Sequence, residues 1–178
     1  MTAVTELRQR ARAQAHDITD PSATVTGKDV AERLLSREVR TVVVPDDADA
    51  TTARTSLACM CFPASQYPNG VEILSITLLS AAITPHADNH ATDTFSSVGT
   101  DGVADSPVAT LTSDADVAIG SGGLGAGATT ANKPYEALMG TAANCTVVAG
   151  GSLCLARAKA GAGVTLGETS YTVVFQVL

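Results

Sequence analysis

The C-terminal segment 142–178 constrains the fold most strongly, because glycines divide it into short β-like runs and no helical pattern bridges them. The runs are 145–148, 152–159 and 169–178. Gly150 and Gly151 separate the first two, and a glycine-rich corner at 161–167 separates the second from the third. Glycine turns between β-like runs are typical of hairpins, so we expect these runs to be neighbouring antiparallel strands.

The middle run shows a clear two-residue alternation. Because side chains alternate along a strand, Leu153, Leu155, Arg157 and Lys159 share one face. Ser152, Cys154, Ala156 and Ala158 share the other face. The last run is almost entirely β-branched or aromatic, which favours a strand covered on both sides.

The rest of the chain after residue 40 also favours strands, since no apolar period of 3.6 residues persists there. The predicted strands are 39–44, 56–62, 71–84, 91–98 and 107–112. We expect 71–84 to be a central strand with a bulge near Leu79. Roughly eight to ten short strands at turn-marked intervals predict an all-β fold, with an antiparallel sandwich or jelly-roll-like body.

The N-terminal segment is a different kind of sequence and is predicted to form an arm. Residues 1–40 carry seven Lys and Arg against six Asp and Glu, whereas the remaining 138 residues carry four against twelve. We expect a short helix over 1–20, a second from a capping box at 26–29 through about Glu38, and then the first strand. The domains are therefore an arm at 1–45 and a β-body at 46–178.

Helices this short need a surface to lie on, and two surfaces are open to them. The arm either packs on its own β-body or docks on a neighbouring subunit or capsid. In the second case the candidate contact residues are those of its apolar and basic faces. They are Leu7, Arg8, Arg12, Val30, Leu34, Leu35 and Arg37.

Charge and hydropathy exclude several classes of protein. A net charge of −7 argues against nucleic-acid binding. No apolar run reaches eighteen residues, which predicts no membrane span, and no apolar region follows the N-terminal arginines as a secretory signal requires.

Without a secretory signal, we expect Cys59, Cys61, Cys145 and Cys154 to be reduced, buried small hydrophobes.

The motifs that carry chemistry in other proteins lack their context here. Gly120–Gly125 matches a dinucleotide fingerprint in form, but no βαβ unit follows, so a glycine loop at a tight contact or on the outer surface is favoured. His86, Asp88 and His90 share a face if extended, yet a polar loop is the preferred interpretation. We predict no metal and no cofactor. The chain also has no nucleophile elbow or paired carboxylates with aromatic platforms, so we expect no enzyme.

The strand and turn pattern of residues 71–178 resembles the decoration or cement proteins of tailed-bacteriophage heads. The resemblance rests on VEILSITLLSAAIT at 71–84, PVATLT at 107–112, and the closing pattern from Tyr135 to Leu178. The helical N-terminal segment, the four cysteines and the long glycine loop depart from the family pattern.

The resemblance implies a virion protein on the outer capsid surface, made in the host cytoplasm. Its implied partners are the major capsid protein and copies of itself, with a trimer favoured. In that role residues 1–45 supply contacts to the capsid or a neighbour, and the acidic body faces outward. The alternative is a head-fibre or receptor- or sugar-binding β-module, for which only Tyr67, Tyr135 and Tyr171 are available as aromatic platforms.

Overall fold

The computed structural model describes residues 37–45, 53–162 and 168–178. Ten β-strands and no helix are present in these ranges, which confirms the all-β prediction. The strands are β1 Arg37–Val44, β2 Arg54–Cys61, β3 Val71–Ser80, β4 Ala91–Val98, β5 Ala104–Thr112, β6 Tyr135–Glu136, β7 Leu138–Met139, β8 Thr146–Val147, β9 Ser152–Lys159 and β10 Thr169–Val177.

The strands form two sheets that pack as a sandwich. The first sheet has the order β1-β10-β3-β6, and β8 also pairs with β3. The second has the order β2-β9-β4-β5-β7. Every strand pairing with a determined register is antiparallel. This arrangement confirms the predicted antiparallel sandwich body.

A bulge in β3 decides which of its side chains enter the core. Val174 of β10 pairs with Ser75 and Phe175 pairs with Ile73, so Leu74 is the extra residue. The buried positions shift in phase across it, from Ile73 to Ile76. The predicted bulge near Leu79 was therefore wrong. The bulge lies five residues earlier, where it shifts the alternation of buried side chains so that both Ile73 and Ile76 face the core.

The expected hairpins between the C-terminal runs were also wrong. β8 pairs with β3 in the first sheet, β9 lies between β2 and β4 in the second, and β10 returns to the first. Gly150 has a φ of +78°, and a Cβ on Gly151 would lie 2.7 Å from the carbonyl oxygen of Val98. These glycines turn the chain from one sheet to the other. A turn signal in the sequence does not distinguish such a crossing from a hairpin within one sheet.

Aromatic rings fill the space between the sheets. Phe62, Tyr67 and Phe175 meet edge to face, with ring centroids 5.1 to 5.9 Å apart. Phe95 of the second sheet meets Tyr171 of the first in the same geometry at 5.0 Å. Edge-to-face contact aligns the positive edge of one ring with the negative face of another, so these pairs stabilise the packing of the two sheets.

β1 begins at Arg37, so the second predicted helix cannot extend through Glu38. Both predicted helices otherwise lie outside the described residues. β1 takes its place beside β10 in the first sheet, and the predicted strand at 39–44 is confirmed within it.

The glycine-rich loop after β5 adds to the edge of that strand. The N–H of Thr112 donates to the carbonyl of Gly122 at 2.7 Å, and the N–H of Leu124 donates back to Thr112 at 3.1 Å. Leu124 is buried, and Gly123 lies so close to Val117 that a Cβ would be 2.0 Å from its carbonyl oxygen. This confirms the expectation of a tight contact, since no larger residue fits at Gly123.

Replacing Gly123 with alanine is expected to lower the free energy of unfolding by about 1–3 kcal/mol, because the loop must move away from Val117. Urea unfolding of the purified protein measures this change. Gly127→Ala is the matched control, since no atom lies within 4 Å of a Cβ there. Equal stabilities for the two variants would contradict the tight contact.

Candidate functional site

A buried cluster of polar side chains joins the two sheets. Arg157 on β9 and Asp93 on β4 are direct cross-strand partners. The Nε and Nη2 atoms of Arg157 donate to the two carboxylate oxygens of Asp93 at 2.6 and 2.8 Å. Tyr171 reaches across from β10 and donates its hydroxyl to the same carboxylate. All three residues are at most 3% exposed, so their role is to fix the interior.

The charges of this cluster are held in place by their mutual contacts. Burial alone lowers the pKa of Arg157, but the hydrogen bonds and charge of Asp93 outweigh it and raise that pKa above its ordinary value. Burial raises the pKa of Tyr171 well above its ordinary value, and the charge of Asp93 adds to the effect. The cluster therefore contains a permanent guanidinium cation and a neutral phenol.

Sequence reasoning placed one of the three residues of this cluster, Arg157, on its correct strand face. The alternation of β9 placed Arg157 on the face of Leu153 and Leu155, which the structure confirms, and the structure shows that this face is buried. Asp93 was missed. The alternation in β4 could have indicated its position, because Asp93 stands two residues before buried Phe95 and therefore shares its face.

The inner face of β1 is anchored to the aromatic cluster through Arg40. Its guanidinium lies 5.4 to 5.7 Å from the ring centroids of Phe62, Tyr67 and Phe175. It also donates to the hydroxyl of Tyr67 and, at 3.4 Å, to the carbonyl of Cys61. A cation over aromatic faces is attracted by their quadrupoles, so Arg40 fixes the position of β1 on the body.

The opposite face of β1 is exposed. We call Arg37, Val39, Thr41 and Val43 the β1 outer face. The side chains of Val39 and Val43 are 63% and 53% exposed, whereas Val44 is fully buried. Among the described strands, β1 has a neighbour on one side only, which is β10. An edge strand that is anchored by Arg40 and exposes two valines is a suitable contact surface for another protein.

The predicted contact residues can be placed only in part. Arg37 begins β1 and is exposed on the β1 outer face. The other six predicted residues, from Leu7 to Leu35, lie outside the described residues. Val39 and Val43 were missed, although a strand of alternating exposure implies that half of the valine-rich run faces away from the body.

Two of the four cysteines form a disulfide, contrary to the prediction that all are reduced. Cys59 on β2 and Cys154 on β9 stand directly opposite each other and are bonded, with Cα atoms 4.1 Å apart. Cys61 is free but exposed, which also contradicts burial. Cys145 is free and buried, as predicted. The pairing depends on strand register across 95 residues, which local spacing does not reveal.

The histidine segment between β3 and β4 is a loop closed by its own side chains. The Nδ1 atom of His86 accepts hydrogen bonds from the N–H groups of Asp88 and Asn89, both at 3.1 Å. The Nδ1 atom of His90 lies 2.9 Å from the carbonyl of Ala87. In the described ranges no three His, Cys, Asp or Glu residues form a group suited to a metal ion. These ranges also contain no helix of the length and apolarity needed to cross a membrane.

The three tyrosines of the alternative sugar-binding role are all inside. Tyr67, Tyr135 and Tyr171 are 4%, 6% and 1% exposed. An aromatic platform for a sugar must present a ring face to solvent, so none of these tyrosines serves as one in this structure.

No protein-family model matches the chain, and no curated protein sequence matches it. Among solved structures, a chain of the infectious bursal disease virus Gx strain is similar, with a TM-score of 0.37 and 15% sequence identity. The similarity covers 79% of this chain and 32% of the viral chain, so this chain spans about a third of the length of that viral chain. The comparisons assign the chain to no family.

Replacing Asp93 with asparagine is expected to lower the free energy of unfolding by about 3–5 kcal/mol, because the buried charge of Arg157 loses its counter-charge. Chemical denaturation at neutral pH measures the loss. Asp116→Asn removes the same charge from an exposed loop position and should change stability by less than about 0.5 kcal/mol. A loss at Asp93 no larger than at Asp116 would show that the cluster is not a structural link.

The raised pKa of Tyr171 predicts alkaline sensitivity. In the unfolded chain a tyrosine ionises near pH ~10, while the buried phenol stays neutral, so above that pH the unfolded state binds fewer protons than the folded state. The free energy of unfolding contributed by this group is complete below about pH 10 and falls above it. Denaturation at about pH 9 and about pH 11 measures the free energy of unfolding. Between these two pH values it should fall more for the native chain than for Tyr171→Phe. Identical losses would remove Tyr171 as the cause.

Proposed function

We propose that this chain is a structural virion protein that binds the outer surface of a tailed-bacteriophage capsid and stabilises the contacts between capsomers. In this role it catalyses no reaction, and its partners are the major capsid protein and further copies of itself, as a trimer. The observation that carries the proposal is the β1 outer face, which exposes two valines on a strand anchored by Arg40.

The strands behind the family resemblance supply the body that this role needs. The stretch 71–84 contains β3, which lies between β10 and the short strands of the first sheet. The closing pattern contains β9, which lies between β2 and β4, and β10. A body built of such paired strands satisfies its own backbone hydrogen bonds and keeps its shape while its surface makes contacts.

The position of β1 in the chain supports contact through the N-terminal part. β1 follows directly on the segment that holds the other predicted contact residues, and Arg37 belongs to both sets. Each contact on a lattice can be weak, because many copies linked to one particle act together. An anchored strand suits this role because little order is lost when it binds.

The test is co-sedimentation of the purified full-length protein with capsids that lack this protein. The capsids are those of the particle from which the protein comes. We expect saturable binding to the particle at a stoichiometric number of copies. The double substitution Val39→Thr and Val43→Thr keeps two β-branched residues but adds hydroxyl groups to the contact. At about 1 kcal/mol or more per buried hydroxyl, binding should weaken by at least about tenfold.

Val103→Thr provides the matched control. Val103 is 60% exposed in the turn before β5, so the same chemical change is made away from β1. It should leave binding unchanged. Equal weakening by both substitutions would remove the β1 outer face as the contact, and recovery of the native protein only as a free small oligomer would reject the virion role itself.

A further inference from the structure

Three cysteine sulphur atoms lie on one face of the second sheet. Cys59 and Cys154 are bonded across β2 and β9, and Cys61 stands two residues along β2 from Cys59. The intervening Met60 is buried, as is Leu153 opposite it. Since side chains alternate along a strand, the three cysteines all face outward. Cys59 and Cys61 are exposed, so the disulfide and the free thiol share one accessible surface.

The register places the free thiol beside the disulfide. Cys61 is the direct partner of Ser152, which is two residues from Cys154 on β9. The hydroxyl oxygen of Ser152 lies 3.4 Å from the sulphur of Cys154. Cys61 is thus the diagonal neighbour of Cys154, and such neighbours in antiparallel strands have Cα atoms about 7–8 Å apart with their Cβ atoms closer.

The strand that carries Cys61 is suited to a small displacement. Among the described strands, β2 pairs with β9 only, and its register is irregular between Arg54 and Ala58. Edge strands have fewer backbone hydrogen bonds to break than central ones, so they open at lower free-energy cost. A shift of about 1–2 Å brings the diagonal Cα atoms towards the distance range of disulfides.

We propose that Cys59, Cys61 and Cys154 form an intramolecular thiol–disulfide exchange site. The thiolate of Cys61 attacks the sulphur of Cys154, a bond forms between these two atoms, and the bond from Cys154 to Cys59 breaks. Cys59 leaves as a thiolate and takes up the proton that Cys61 released to solvent. One disulfide and one thiol are present before and after, so the step needs no oxidant or reductant.

The exchange moves the reactive thiol along the outer surface of β2. It appears at position 59 instead of 61, and the covalent link to β9 shifts by two residues. The site would take small thiols or the thiol of a partner protein, since both react through the same mixed disulfide. This inference does not depend on the proposed virion role.

The fourth cysteine is an internal control. Cys145 is 5% exposed, and its Sγ atom lies 3.8 Å from the carbonyl of Val108 and 3.7 Å from that of Gly140. Burial raises the pKa of the Cys145 thiol, and the charge of Glu72 adds to the effect. A buried thiol that resists ionisation is a poor nucleophile, so Cys145 is expected to stay out of the exchange.

The sequence offers a direct way to read the linkage. Met60 lies between Cys59 and Cys61, so cyanogen bromide cleavage places these two cysteines on different fragments. The cleavage runs in acid, which halts exchange because the thiolate is the nucleophile. The full-length protein is kept without reductant at about pH 8, where thiolates form, and samples are acidified over time, cleaved and analysed by mass spectrometry.

Cleavage after Met139 places Cys154 on a third fragment, residues 140–178. We expect this fragment to be found linked by a disulfide to either of the other two, with the Cys61 linkage growing to a plateau at a rate independent of protein concentration. Cys145→Ser should leave this rate unchanged, and Cys59→Ser treated with glutathione disulfide should form the Cys61–Cys154 bond alone. Detection of only the Cys59–Cys154 linkage at all times would overturn the proposal. A rate that rises with protein concentration would overturn it too, since exchange would then join two copies.

Discussion

The carboxylate of Asp93 is the point at which the two sheets are tied together. It accepts both donors of Arg157 from the neighbouring strand and the hydroxyl of Tyr171 from the opposite sheet. A buried ion pair adds little net stability over an apolar pair, but it is strongly specific, because neither charge tolerates the loss of its partner. A one-residue slip of β9 would turn Arg157 outward and leave Asp93 unpaired, so the cluster selects the register of the sandwich.

The register that this cluster selects has consequences on the outer face of the same strands. With Arg157 opposite Asp93, Cys154 faces away from the core, where it meets Cys59 of β2. The interior polar pair and the exterior disulfide are thus two results of one alignment. On the other sheet, Arg40 has a comparable role, because it fixes β1 against three rings and leaves the valines opposite it exposed.

The sequence predicted strands better than it predicted their neighbours. Alternation located β9 and placed Arg157 on the same face as Leu153 and Leu155, since the period of side chains along a strand is a local property. The glycine pair at 150–151 was correctly placed as a turn, yet the turn crosses from one sheet to the other. The valine-rich run likewise located β1, but it did not reveal the contact of Arg40 with aromatic rings. That contact joins β1, the connection after β2, and β10, which are far apart in the sequence.

By itself, the sequence determined that this chain builds an all-β body of antiparallel strands, and that Leu153, Leu155 and Arg157 share one face of a strand. These follow from composition and from patterns a few residues long. Only the tertiary structure decided that Asp93 meets Arg157, that Cys59 meets Cys154, and that Val39 and Val43 remain exposed. The reason is that each depends on the register between strands far apart in sequence, which is set by the packing of the whole sandwich.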